Sequence, residues 1–434
     1  MKLKTIAALV AIATASGSAF ATNGYFQHGY GIKAKGMAGV GIALPQDSLA
    51  AATNPAGMVM VGDRLDVGID WFKPDRGADI SGNTGGFFAP LRLDGSYDGN
   101  GVSSFLIPEF GYNKMLGSDM SVGVSVYGNG GMNTRYNASP FAAGGLGVIG
   151  GQNPGGVNLE QLFIAPTFAM RVNQAHAIGV SIVMTYQTFG ATCLQAFGGF
   201  SSNPTSLTNR GNDHSVGWGL RLGWTGQVSE SVTLGATYAS KIKGKFNDYQ
   251  GLFAQQGEFD IPENYGIGIA YKATPTLTLA ADIQQINYGK SQSIANTADC
   301  LFAGTGCQLG QTGGPGFGWG DMTVYKLGVS YDYSKELTLR AGVSTTSQPI
   351  PSNQTFFNIL APGVIENHVT LGGTWTLANK NELTVGYMHA FKKTVNGSNS
   401  IPGTTPIGGF LGAGEANLHM SQDSLGIAYG IKFQ

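Results

Sequence analysis

The stretch Leu425-Gly426-Ile427-Ala428-Tyr429-Gly430-Ile431-Lys432-Phe433 alternates large apolar side chains with small or charged ones. A period of two puts Leu425, Ile427, Tyr429, Ile431 and Phe433 on one face of a strand and Gly426, Ala428, Gly430 and Lys432 on the other. The same division recurs upstream. Tyr325, Leu327, Val329, Tyr331 and Tyr333 oppose Lys326, Gly328, Ser330 and Asp332, and Val216, Trp218, Leu220, Leu222 and Trp224 oppose Gly217, Gly219, Arg221, Gly223 and Thr225. Each strand has one large apolar face and one small or charged face.

From Arg64 onward the pattern predicts strands near 64–74, 104–113, 119–128, 160–170, 176–189, 214–226, 231–242, 258–272, 276–288, 320–332, 336–347, 364–376, 382–392 and 421–433. That is about fourteen, an even number, as bacterial outer-membrane barrels usually have. The gaps alternate in length. Lys114–Ser118, Arg171–Ala175, Gln227–Glu230, Ala273–Pro275, Tyr333–Lys335 and Leu377–Asn381 are tight turns, whereas the loops between them run much longer. Short turns at one rim and long loops at the other belong to a barrel crossing the outer membrane, with the turns in the periplasm. A soluble sandwich has no reason to keep that parity. The fold class is therefore all-β, a transmembrane antiparallel β-barrel.

Two segments precede the strands. In residues 1–21, Lys2 and Lys4 form a positive start, Ile6 to Ala15 an apolar run too short to span a bilayer, and Ala19-Phe20-Ala21 a cleavage site. This reads as a signal peptide, leaving Thr22 as the mature N-terminus. Residues 22–62 carry Gly24, Gly29, Gly31, Gly36, Gly39, Gly41, Gly57 and Gly62 and the apolar Tyr25, Phe26, Met37, Val40, Ile42 and Leu44. Low charge and abundant glycine suit a compact insert against an enclosed wall, so 22–62 is expected to be a plug, or hatch, inside a barrel made by 63–434. A short helix is expected from Ser48 to Thr53, capped by Asp47 or Ser48 and stopped by the turn Asn54-Pro55-Ala56-Gly57. Asp66, Lys272, Lys326, Arg340 and Lys432 are expected in the lumen, holding the plug.

Composition excludes other classes. The chain has 434 residues with 68 glycines, only 12% charged residues and a net charge of −1. Without a basic patch nucleic acid is not a partner. Gly29-x-Gly31-x-x-Ala34 follows no strand, and Gly289-Lys290-Ser291 lacks the upstream glycine of a phosphate loop. His28, His176, His214, His368, His389 and His419 have no metal-ligand spacing, so neither cofactor nor metal is expected. Enzymatic activity is not expected either; His389, on the apolar face with Tyr387 and Phe391, reads as a rim histidine. Cys300 and Cys307 are placed to close a small loop, with Cys193 left over or paired with one of them.

The chain resembles the FadL family of outer-membrane transporters for long-chain fatty acids and, in one branch, for toluene-like aromatic hydrocarbons. The likeness runs from Thr22 to Phe433. It rests on the glycine-rich segment ending in Asn54-Pro55-Ala56, the strand count, Ile261-Pro262-Glu263 opening the eighth strand and Ser347-Gln348-Pro349-Ile350-Pro351 after the eleventh. The resemblance implies a monomer in the Gram-negative outer membrane, in contact with its lipid and lipopolysaccharide, that takes up hydrophobic small molecules. The alternative is a general porin or structural barrel without a specific ligand. It further implies an internal site gated by the hatch, where Gly24 is a pivot, Tyr25 and Phe26 are displaceable, and Asn54, Pro55 and Ala56 belong to the hatch motif. Sideways release is implied at the third strand, where Gly128-Asn129-Gly130-Gly131 interrupts the alternation.

For capture, Phe246, Tyr249, Leu252 and Phe253 fall at helical spacing in the loop Lys243–Gly257, and Leu194, Phe197 and Phe200 in the loop Ala191–Asp213. Together they are expected to form an apolar groove at the cell surface. Phe246→Ala combined with Phe253→Ala is expected to slow whole-cell uptake of hydrophobic compounds by a folded barrel. Unchanged uptake of every compound tested excludes the groove.

Overall fold

The structure, a computed structural model, describes residues 23–85, 92–142, 152–403 and 411–433. The expected signal peptide, residues 1–21, and Thr22 lie outside the described residues. The described strands are β1 (Arg64–Ser81), β2 (Gly95–Asp98), β3 (Phe105–Met115), β4 (Met120–Asn133), β5 (Gly156–Arg171), β6 (His176–Thr192), β7 (Asp213–Gln227), β8 (Val232–Ala239), β9 (Asn264–Thr274), β10 (Leu277–Ile286), β11 (Met322–Asp332), β12 (Leu337–Thr346), β13 (Asn367–Thr376), β14 (Glu382–Val395) and β15 (Glu415–Lys432). All pair antiparallel in chain order, and β15 returns to β1 in register from Arg64 with Lys432 to Ser81 with Glu415. Closure removes the free edges that lipid cannot hydrate. Fourteen of the strands make the ring, as the alternation predicts. The short β2 is the exception: it pairs only with Gly77–Ile80 of β1, above the point where β3 takes over at Phe72.

The apolar faces point outward. Trp218 is 63% exposed and Leu327 60%, among a belt that includes Ile182, Ile267, Val343, Leu371 and Ile427. In water so large an apolar surface would aggregate, whereas in a bilayer it is the solvated face. The inward faces explain the glycines. A Cβ on Gly223 would stand 1.9 Å from Asn54 Oδ1, one on Gly235 2.3 Å from the Ile42 carbonyl oxygen, and one on Gly426 2.3 Å from Ile32 Cδ1. The small inward face is small because residues 23–62 pack directly against it, backbone to backbone.

Polar wall groups hold that segment. Glu109 accepts from the Ile32 N–H at 2.9 Å and the Gly31 N–H at 3.2 Å, and Asp282 from those of Gly41 at 2.8 Å and Ile42 at 3.1 Å. Asp66 accepts from the Ser48 amide and hydroxyl. Lys33 pairs with Glu382 at 2.5 Å and Lys35 with Asp70 at 2.7 Å. Lys326 donates to the His28 carbonyl at 2.8 Å, and Arg340 to Gln46 at 2.7 Å. Lys432 pairs with Glu382 on the wall, which Lys33 of the segment also meets, and Lys272 is exposed.

Several local readings are corrected. The helix expected over Ser48–Thr53 is a single 3₁₀ turn, Ala50–Ala52; Asp47 Oδ1 caps the Leu49 N–H, while Ser48 bonds Asp66 instead. Asn54 does not simply end it. Its Oδ1 accepts from the Ala56 N–H and opens a second 3₁₀ helix, Pro55–Met60, because Pro fits a first helical position. A helical turn at Ile32–Lys35 was not legible, since four residues are too few to show a helical period. The eighth predicted strand begins at Asn264, after Ile261-Pro262-Glu263.

Gly235→Val places its side chain against the Ile42–Ala43 backbone and is expected to push the segment off the wall while leaving the ring closed. Limited proteolysis should then cut within residues 23–62 of Gly235→Val but not of the lipid-facing control Leu234→Ala. Equal resistance of the two would show that the packing does not depend on this glycine.

Candidate functional site

The ring is not paired along its whole height. β3 and β4 share a ladder only from Phe110 with Val126 to Met115 with Ser121. Beyond Val126, β4 stays with β5 up to Asn133, with a bulge between Gly128 and Gly130, and β3 stays with β1 up to Phe105. Between them the wall has no ladder. The alternation of burial also stops there: Ser125 to Met132 are all buried, so β4 has bent into the barrel. The glycines quoted from the sequence sit at this bend, as residues without Cβ allow.

A piece of the N-terminal segment fills the freed edge of β4. Phe26 bridges Gly130, the Gly131 N–H donates to the Tyr25 carbonyl at 3.0 Å, and the Gln27 N–H donates to the Asn129 carbonyl at 2.9 Å. Gly130 has no alternative, because a Cβ there would lie 1.8 Å from the Tyr25 carbonyl oxygen. Tyr288 holds the other side. Its hydroxyl donates to the Asn23 carbonyl at 2.6 Å and accepts from the N–H groups of Tyr25 at 3.2 Å and Phe26 at 3.3 Å. Burial pushes the phenols of Tyr25 and Tyr288 well above their ordinary range, so both remain neutral. Gly24 supplies the φ of +65° that lets the chain turn over Tyr288. Arg76 spans the top of the gap. It donates to Asn133 on β4 and to Val102, with its guanidinium carbon 5.9 Å from the Phe105 ring centre.

An aromatic chamber adjoins this peptide through Phe259, whose ring lies 4.9 Å from that of Phe253 and 6.1 Å from that of Tyr25. Leu194, Phe197, Leu252 and Phe253 line one cavity, as the sequence groups them, together with Phe189, Leu207, Leu309, Phe317 and Phe357. Phe246 and Tyr249 reach it through Phe189, at ring separations of 5.4 and 4.9 Å, and Phe200 packs on the outside of the same cluster. The helix expected to align the Lys243–Gly257 residues is absent; a 3₁₀ turn Asn247–Tyr249 and a short turn Ala254–Gly257, with positive φ at Gln255 and Gln256, place them. The cavity measures about 40 Å³. That is room for a few water molecules, whereas a benzene ring needs about 150 Å³. A ligand therefore has to move side chains to enter.

Sequence reasoning missed Phe189, Tyr288 and Trp319. Phe189 carried a signal, being a large residue on the inward parity of β6 where Gly179, Ser181 and Thr185 precede it; Tyr288, at the end of the strand expected over 276–288, lies instead in a 3₁₀ turn after β10, and Trp319 lies in a loop. Cys300 and Cys307 are disulfide-bonded, and Cys193 is free and buried. His389 bonds Asp423, as does Tyr387, and among the described residues no hydroxyl nucleophile bonds the His389 ring.

A closed fourteen-strand ring with a lipid-facing belt and an apolar chamber defines an outer-membrane β-barrel transport protein. The chain belongs to the outer membrane protein transport family (OMPP1/FadL/TodX), whose model matches residues 8–433. It is a barrel of the Gram-negative outer membrane. Solved structures share the fold. A Pseudomonas aeruginosa FadL homologue matches at 16% identity, covering 95% of this chain and 100% of that one, with a TM-score of 0.70. The Pseudomonas putida toluene transporter TodX matches at 17% identity (94% and 99%, TM-score 0.65), and the Ralstonia pickettii toluene transporter TbuX at 18% (94% and 99%, TM-score 0.62). A search of curated proteins returns no match.

Proposed function

We propose that the chain is a passive transporter of hydrophobic small molecules, aromatic hydrocarbons or long-chain fatty acids, and that residues 22–62 are its hatch. Ligand is caught among Phe246, Phe253, Leu194 and Phe197, passes to the chamber beside Tyr25 and Phe26, and leaves sideways between β3 and β4. The proposal draws support from two features. The segment packs against inward glycines around the ring, among them Gly223, Gly235 and Gly426, as a plug rather than an open pore requires. The names of the toluene transporters with the same fold point to the same ligand class.

The observation that carries the reading is the bridge between Phe26 and Gly130. One short peptide both adjoins the chamber, through the Tyr25 and Phe259 rings, and pairs with the freed edge of β4. A ligand that displaces the Tyr25 and Phe26 rings therefore strips the backbone partners from Asn129, Gly130 and Gly131 in the same movement. Burial of each ring is worth roughly 1.5–3 kcal/mol, which keeps the gap shut yet lies within what a hydrophobic ligand can replace. A wide polar lumen, as the porin alternative requires, is not what the packed hatch provides.

The test is Gly130→Ala, whose methyl group collides with the Tyr25 carbonyl and weakens the closed state. Toluene or fatty-acid uptake by cells carrying it is expected to rise several-fold. Tyr25→Ala/Phe26→Ala, which removes the displaceable rings, is expected to bind ligand more tightly but transport it less well. Wild-type affinity and uptake in both variants would exclude the gate.

A further inference from the structure

The peptide beside the chamber carries one side chain that resembles a guest. Tyr25 is fully buried, with Tyr288 (5.1 Å between ring centres), Phe26 (5.3 Å), Phe259 and Trp319 (6.1 Å each) around its ring. Edge-on and tilted contacts of this kind are favourable for an aromatic ring. Its hydroxyl is less well served. It points toward the side chain of Gln161 but makes no hydrogen bond, which is unfavourable for a buried polar group.

Gln161 is itself buried and fixed in a row of side-chain hydrogen bonds. Tyr30 donates to Asn129 Oδ1 at 2.8 Å, Asn129 Nδ2 to Gln161 Oε1 at 2.9 Å, and Gln161 Nε2 to Gln187 Oε1 at 2.8 Å. These bonds use one lone pair and one N–H of its carboxamide and leave one of each free. The site thus has aromatic walls and one oriented polar group that lacks its full complement. Tyr25 cannot complete it, because its backbone is pinned by Gly131 on one side and Tyr288 on the other.

We propose that the Tyr25 position beside the chamber takes hydroxylated monoaromatics of the 4-alkylphenol class, which replace the Tyr25 ring and hydrogen-bond Gln161. The proposal rests on the transport reading and names a substrate class for it. A free 4-alkylphenol has the shape of the tyrosine side chain without its tether, so it can shift by the fraction of an ångström that the pinned residue cannot. A hydrocarbon of the same size fills the walls equally well but leaves the Gln161 groups unpaired, and sites built to bond a polar group discriminate against ligands that lack it.

The test uses the full chain in detergent, with 4-methylphenol and toluene as probes titrated by calorimetry. Tyr25→Ala is expected to bind 4-methylphenol roughly tenfold more tightly than toluene, the worth of about one net hydrogen bond. Tyr25→Ala/Gln161→Leu should bring the two affinities within about twofold of each other. Tyr25→Val, a milder truncation that also vacates the ring, should show the same preference if Tyr25→Ala does not fold. Equal affinities in Tyr25→Ala, no binding of either probe, or a preference that survives Gln161→Leu would each overturn the assignment. Toluene uptake by the unmodified chain tests the transport reading separately, so one can fail without the other.

Discussion

Everything in this barrel depends on how buried polar groups of the N-terminal segment are matched by the wall. A lumen screened from water offers nothing else to hydrogen-bond a loop of backbone, so each exposed N–H or carbonyl must meet a partner or cost several kcal/mol. The inward carboxylates of Asp66, Glu109 and Asp282 meet amides, Glu382 and Asp70 meet lysines, and Lys326 and Arg340 meet oxygens. These groups come from strands spread round the ring, which fixes the segment as one body. Replacing any one of them would strand a buried charge rather than merely remove a contact.

Within that body the strength of attachment is uneven. Residues 31–48 are held by charged partners, whereas residues 23–27 are held by neutral ones: a tyrosine hydroxyl, and the backbone of a strand that has left its neighbour. Charge-assisted bonds are roughly twice as strong as neutral ones. Residues 23–27 are thus the most weakly held part of the segment, and they are also the part that pairs with the freed edge of β4. In the proposed route, transport then requires only a small local displacement of these residues.

The sequence exposed the ring almost completely, because lipid on one side and a packed segment on the other impose a strict period of two. Leu425 to Phe433 and Tyr325 to Tyr333 could be assigned to faces by inspection. What sequence could not show was the reason for the small inward residues: Gly223, Gly235 and Gly426 read as absence of side chains and are in fact contact surfaces for Asn54, Ile42 and Ile32. The site was half legible. Gly128 to Gly131 and Tyr25-Phe26 could be singled out separately, but their pairing spans a hundred residues and leaves no local pattern. Tyr288, Trp319 and Gln161 were missed for the same reason. The expected helices in the hatch and in the Lys243–Gly257 loop failed because segments this short take their shape from the wall rather than from propensity.

Hydrogen–deuterium exchange with and without ligand measures the central claim directly. On addition of a saturating hydrophobic ligand, the amides of Phe26, Gln27 and Gly131 are predicted to lose protection, while those of Gly31, Ile32, Gly41 and Ile42, bonded to Glu109 and Asp282, keep it. Loss of protection across all these amides together would mean that the hatch leaves as a unit. No change at Gln27 and Gly131 would mean that ligand passes without disturbing the peptide that fills the gap, and either result would contradict the account.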